Sequence, residues 1–180
     1  SLTTSVYKWY GPHAGALVLA PELLAGVEPY RVRPADYVGP SRFETGTPAF
    51  ETLAGVVGAA AFMVETPAAE AAAHETALLH RLEDSLRALS GVTVHAPTVG
   101  EERAPTCLFS VAGWTPSSVA EALAAAHVSV WHGHSYALEL VDALGLTEAG
   151  GAVRASIVRY NDGSDVDRLL DVVAGLSGGA

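Results

Sequence analysis

Ser5-Val6-Tyr7-Lys8-Trp9-Tyr10-Gly11-Pro12-His13-Ala14-Gly15 sets the only lysine of the chain among aromatic residues, at the mouth of a Gly-Pro turn. The β-branched and aromatic residues from Thr3 to Trp9 predict a strand with Lys8 near its end. Gly11 to Gly15 predict a turn, and Ala16 to Ala20 a returning strand. An amine that condenses with a carbonyl must be neutral, so it needs a partly desolvated seat that lowers its pKa. Tyr and Trp beside a tight turn are the material for such a seat. By spacing alone, the competing reading is a surface lysine lying along aromatic rings.

Working outward, Pro21 to Gly26 predict a short helix at most. Residues 27–48 carry four prolines and no sustained period, a long loop of the kind compact domains keep for a purpose. Pro48 to Glu65 read as a helix, with Phe50, Leu53, Ala54 and Val57 at helical spacing. Pro67 breaks the pattern and marks a boundary between residues 1–66 and 67–180. A second helix is expected from Ala68 to Leu89, with Leu78, Leu82, Leu86 and Leu89 on one stripe and Ser90-Gly91 at its end.

Beyond it, helices and strands alternate. Val92–His95, Thr106–Ala112, Val128–Trp131 and Ala152–Tyr160 predict strands. Helices are expected from Thr115-Pro116 to His127, over Tyr136–Leu144, and after a cap at Asp162–Ser164. The fold class is therefore α/β to α+β, ending in a small domain whose three- to four-stranded sheet carries helices on one face.

The 180 residues carry a net charge of −10 and are 49% hydrophobic. That balance excludes a disordered chain, and with no cluster of Lys or Arg it disfavours nucleic acid and anionic membrane surfaces. No apolar run approaches the roughly 20 residues of a membrane span. With no basic, apolar leader in view, a cytoplasmic location is expected. Cys107, the only cysteine, excludes an internal disulfide and a Cys-based zinc site, and its place mid-strand suits a small buried hydrophobe. Glu83, Asp84, Glu101 and Glu102 read as solvated faces.

The Lys8 segment resembles the Schiff-base lysine segment of class V aminotransferases, a group of fold-type-I pyridoxal-phosphate enzymes that includes the cysteine desulfurases. Arg42-Phe43-Glu44-Thr45-Gly46-Thr47-Pro48 resembles the family's Arg-x-Glu-x-Gly-Thr-Pro segment, and Val153-Arg154-Ala155-Ser156 with Tyr160-Asn161 its C-terminal Arg-x-Ser segment. The three lie in the family's order. The resemblance implies that Lys8 holds pyridoxal phosphate, with His13 in the Gly-Pro turn near cofactor or substrate. It implies that Gly46 and Thr47 bind the cofactor phosphate across a homodimer interface, and that Arg154 grips the α-carboxylate of an amino-acid substrate. A hydroxyl and backbone N–H groups before a helix suit a phosphate, and a guanidinium suits a carboxylate. Thr47-Pro48 also reads as a plain helix cap.

Two departures accompany the resemblance. The desulfurase nucleophile lies in a loop close before the carboxylate-binding strand, and here Trp131-His132-Gly133-His134-Ser135-Tyr136-Ala137 contains no cysteine. The chain is thus similar to the desulfurase-like subgroup lacking that residue, and persulfide transfer is not expected. Family members also carry a long half before the lysine. This chain is then expected to be a C-terminal part: the end of the large-domain sheet plus the small domain, inactive alone and needing a homodimer partner or a separate N-terminal half. Arg42 either crosses the interface or pairs with Glu44. His132 and His134, with Asp142 or His127, are a candidate metal constellation, but the glycine between them favours a turn and no metal is expected. The alternative function is a non-catalytic α+β interaction or structural module derived from such an enzyme.

Overall fold

The computed structural model describes residues 1–34, 38–65, 67–97 and 103–178. It divides into two compact units, Ser1–Ala68 and Ala69–Ala180.

In the first unit, β1 (Leu2–Ser5) pairs antiparallel with β2 (Gly15–Val18), Leu2 opposite Val18 and Ser5 opposite Gly15. The expected strand stops short of Lys8, because Val6–Trp9 wind into a 3-10 turn. Val6 is the reason. Its side chain is buried, its N–H donates to Ala14 O at 2.8 Å, and its carbonyl accepts from Gly11 N–H at 3.1 Å. Those bonds curl the chain, with Tyr10 at φ 73° closing the turn. Only glycine fits at position 11, where a Cβ would come within 2.3 Å of Val6 Cγ1. Helix α1 (Pro21–Gly26), a 3-10 turn at Gly39–Phe43 and α2 (Phe50–Glu65) complete the unit. Phe50, Leu53 and Val57 lie exposed on α2.

The second unit is built on an antiparallel sheet of order β3-β4-β6-β5. Its strands are β3 (Val92–Val94), β4 (Thr106–Val111), β5 (Trp131–Gly133) and β6 (Ala152–Ser156). Alternation along the strands sends Cys107, Phe109, Val111, Val153 and Ala155 to one face. There they meet Leu78, Leu79, Leu82 and Leu86 of α3 (Ala68–Ala88), Val119 and Leu123 of α4 (Pro116–Ala125), and Val166, Leu169 and Val173 of α6 (Gly163–Ser177). Phe109 and Leu86 are fully buried, each contributing on the order of 2–3 kcal/mol. The expectation of helices on one face holds for these three. The short α5 (Leu138–Ala143) lies on the other face, where Val141 packs with Leu146, Ala152 and Leu108.

Helix ends follow their caps. The Thr115 hydroxyl accepts the Ser118 N–H at 3.2 Å, with Pro116 at the first helical position. Asp162 accepts the Ser164 N–H at 2.7 Å, and Asp165 returns a bond to the Asp162 N–H, forming a capping box.

Several expectations fail here; the fourth strand, for one, ends at Ser156 and not at Tyr160. The third strand begins at Trp131, not Val128, because the end of α4 holds the preceding segment: Val128 N–H donates to Leu123 O, and His127 turns at φ 60°. Glu83 is not solvated. It is 1% exposed, one helical turn before Arg87, and its carboxylate accepts from Arg87 at 3.1 Å and from Arg103. Asp84 is exposed as expected, whereas Glu101 and Glu102 lie outside the described residues. Among the described residues, no single helix is long and apolar enough to cross a membrane.

Candidate functional site

Lys8 stands on the 3-10 turn with its side chain exposed, not in the desolvated seat that a strand end suggested. Its Nζ lies 5.7 Å from the centre of the Tyr7 ring, and the same ring stacks with His13 at 5.1 Å and 23°. The turn thus joins Lys8, Tyr7 and His13 in one cluster. Its base is fixed by the Trp9 indole N–H, which donates to Thr4 Oγ1 at 3.1 Å, and by Tyr10, edge-on to Phe62 at 4.9 Å. Pro12 abuts α2 where Gly55 leaves room: a Cβ there would sit 3.1 Å from Pro12 Cγ.

Gly46, at φ 77°, and Thr47 are exposed just before α2 begins at Phe50. A Cβ added at Gly46 would meet nothing within 4 Å among the described residues. Arg42 makes no ion pair with Glu44 among the described residues: its guanidinium donates to Leu24 O and, at 2.7 Å, to Val27 O. It holds the long loop to the end of α1. The unit also contains a cavity of about 440 Å³ lined by Val6, Ala14, Leu17, Leu24, Phe43 and Leu53. Lys8, His13, Gly46 and Thr47 do not line it.

Arg154 lies in the second unit, at the middle of β6. The register sets Leu108 opposite it on β4 and Trp131 opposite it on β5, on the face away from the main core. Its Nε is buried and has no hydrogen-bond partner among the described residues. A buried guanidinium nitrogen left unpaired is costly unless an acceptor arrives from outside. Sequence reasoning missed the flanking row, since cross-strand neighbours follow only from the register.

Past β5, Ser135 and Tyr136 take positive φ values of 50° and 59°, an uncommon pair for residues with side chains. The Ser135 hydroxyl is buried without a hydrogen-bond partner among the described residues, and His134 Nδ1 accepts the Tyr136 N–H at 3.1 Å. Gly133 falls within β5, so the turn comes two residues after the one expected there. No group of three or more His, Cys, Asp or Glu among the described residues gathers to hold a metal. Cys107 is fully buried, and burial together with the Glu83 charge pushes its thiol up to about 12.

Over residues 2–169 the chain matches the family model for aminotransferase class-V. It belongs to the class V aminotransferase family. Among its curated relatives, a probable cysteine desulfurase of Pseudomonas aeruginosa is 35% identical over 134 residues, covering 74% of this chain and 32% of the relative. An aminotransferase-like protein of Gibberella zeae is 30% identical over 178 residues, covering 92% of this chain and 43% of the relative. The chain therefore spans less than half the length of these relatives. Among solved structures, an apo cysteine desulfurase from Thermococcus onnurineus superposes with a TM-score of 0.85 at 27% identity, covering 99% of this chain and 47% of that one. The cysteine desulfurase CsdA of Escherichia coli gives 0.81 at 26%, covering 97% and 45%. A C-DES variant with glycine covalently linked to its PLP cofactor shares the fold, with a TM-score of 0.67, 19% identity and 93% and 43% coverage. The sequence expectation of a class V, fold-type-I chain is met.

The residues present fit the two ends of pyridoxal phosphate. Lys8 offers the primary amine that an aldehyde needs, with no ion pair among the described residues, though Tyr7 and His13 leave it exposed and not desolvated. Gly46 and Thr47 offer an uncrowded left-handed backbone and a hydroxyl ahead of a helix N-terminus, suited to a phosphate.

Proposed function

We propose that this chain supplies Lys8, His13, Gly46, Thr47 and Arg154 to a pyridoxal-phosphate-dependent, aminotransferase class V-like enzyme that acts on an amino acid. Lys8 would hold the cofactor covalently, and Gly46 with Thr47 would bind its phosphate. When bound, the cofactor supplies an electron sink beside the substrate α-carbon. Arg154 binds and orients the α-carboxylate through two parallel N–H···O bonds, a geometry that lysine cannot provide. Lys8 then moves a proton at that α-carbon, with the Tyr7 ring beside its amine and His13 stacked on that ring. Transamination, elimination and racemisation all begin with these acts.

The observation that carries the reading is the buried, unpaired Arg154 Nε at the centre of a sheet that is otherwise well satisfied. In this proposal the enzyme would be a homodimer with Gly46 and Thr47 at the interface, acting in the cytoplasm. Persulfide transfer is not part of the proposal, because Cys107 is fully buried in β4.

Borohydride reduction of the purified chain with pyridoxal phosphate, followed by peptide mapping, tests the lysine. Label on the Lys8 peptide, lost in Lys8→Ala, is expected, and label on the N-terminal amine alone would refute the assignment. The self-contained core of the second unit supports one other reading, a non-catalytic interaction module. A colourless monomer after incubation with pyridoxal phosphate would favour that module, and a yellow dimer the enzyme.

A further inference from the structure

The sheet face around Arg154 has an uneven chemistry. Thr106 and Ser156, the next cross-strand pair, lie hydroxyl to hydroxyl at 3.3 Å and satisfy each other. Ser110, on the same face of β4, is taken by His95 Nε2 at 2.8 Å. On these strands Arg154 is then the polar side chain with a buried, unpaired atom among the described residues. Its two neighbours in the row are apolar. Leu108 is partly buried under α5, whereas Trp131 is 55% exposed, with no packed aromatic partner among the described residues. Directly opposed strand residues bring their Cβ atoms to about 5 Å, so the indole stands beside whatever the guanidinium binds.

A molecule gripped here by its carboxylate finds the exposed Trp131 ring next to the anchor on the strands, and the one other unpaired buried group nearby in sequence, the Ser135 hydroxyl, lies beyond the end of β5. Resting on the carboxylate role proposed for Arg154, we infer that the substrate is an amino acid with an apolar, above all aromatic, side chain, and that Trp131 is the residue selecting it. Packing an aromatic substrate side chain on the indole adds affinity that a methyl side chain does not obtain. An aromatic pair of this kind corresponds to a roughly three- to tenfold preference. A polar side chain of similar size would leave its own groups unpaired against the ring.

The test uses the purified ¹⁵N-labelled chain and follows the Arg154 Nε–H resonance, assigned by its loss in Arg154→Lys, during titration with L-phenylalanine or L-alanine. Saturable shifts are expected with both ligands, with roughly three- to tenfold tighter binding of phenylalanine. Trp131→Ala should bring the two affinities to parity, and Trp131→Phe should retain the preference. Because Trp131 is exposed, neither change opens the core. Equal affinities in the unsubstituted chain, or a preference that survives Trp131→Ala, would overturn the role of Trp131 while leaving Arg154 as a carboxylate anchor. An Arg154 resonance that responds to neither amino acid would overturn the anchor itself, and the inference with it.

Discussion

Glu83 is the buried charge on which the second unit depends, and its removal gives the most direct test of the fold. The side chain is 1% exposed, with Arg87 on one oxygen and Arg103 on the other. Breaking a buried ion pair by deleting one partner costs about 3–5 kcal/mol. Two features reduce that figure. Arg87 keeps a contact with Asp84 at 3.4 Å, and Arg103 keeps a bond to Thr106 O at 2.9 Å. Both arginines are also partly exposed, at 35% and 22%, so water can recover some of their solvation. Glu83→Ala is therefore expected to cost about 2–3 kcal/mol, lowering Tm by roughly 8–12 °C in a unit of this size. Glu83→Gln, which keeps the shape and one acceptor, should cost about half as much. Urea denaturation followed by circular dichroism at constant m-value measures both. A loss below about 0.5 kcal/mol for Glu83→Ala would show that the pair contributes no more than a surface ion pair, and the argument from burial would fail.

Three further outcomes follow from named contacts. Hydrogen bonds from Ser164 hold the Asp162 carboxyl below its ordinary 3.8. The stability it adds is present above that value and fades as pH falls through the lower folded value; the Tm gap between the unsubstituted chain and Asp162→Ala should therefore narrow on going from pH 7 to pH 3, and a constant gap would refute it. The Cys107 thiol, fully buried and held near 12, should react with a thiol reagent only as the second unit unfolds, so rapid modification under native conditions would contradict its placement. Gly151→Ala would drive a Cβ to 2.2 Å from the Gly133 carbonyl at φ 96°, so a loss of at least about 2 kcal/mol is expected in thermal melts.

Local chemistry was legible in the sequence, and pairing at a distance was not. Thr115-Pro116 and Asp162 announced their helices because a cap is a contract among residues two or three apart. Leu78, Leu82 and Leu86 showed the buried stripe of α3 through periodicity alone. Glu83 lies on the margin of that stripe, and its burial depends on Arg103, twenty residues on and beyond the helix. Val128–Val130 have strand composition, yet the Val128 N–H is spent on Leu123 O, so pairing starts only at Trp131. At the candidate site, the lysine and arginine segments stood out through their residues. The exposure of Lys8 depended on the long-range bond from Val6 to Ala14, and the row Leu108, Arg154, Trp131 on a register that no single segment encodes.

The strand order β3-β4-β6-β5 also bears on how the chain is made. As it leaves the ribosome, β3 and β4 can form a hairpin early and α4 can dock on it, but β5 emerges with no neighbour to bond. Its partner is β6, which is also the partner of β4, across the 50 positions that separate Thr106 from Ser156. Until Ala152–Ser156 clear the exit tunnel, the two flanks of the sheet remain unjoined, and the exposed edge of β4 is open to any other extended strand nearby. Within this sheet the strand made after the other three is the one that joins them, and a nascent chain stalled before it is the species most in need of a chaperone.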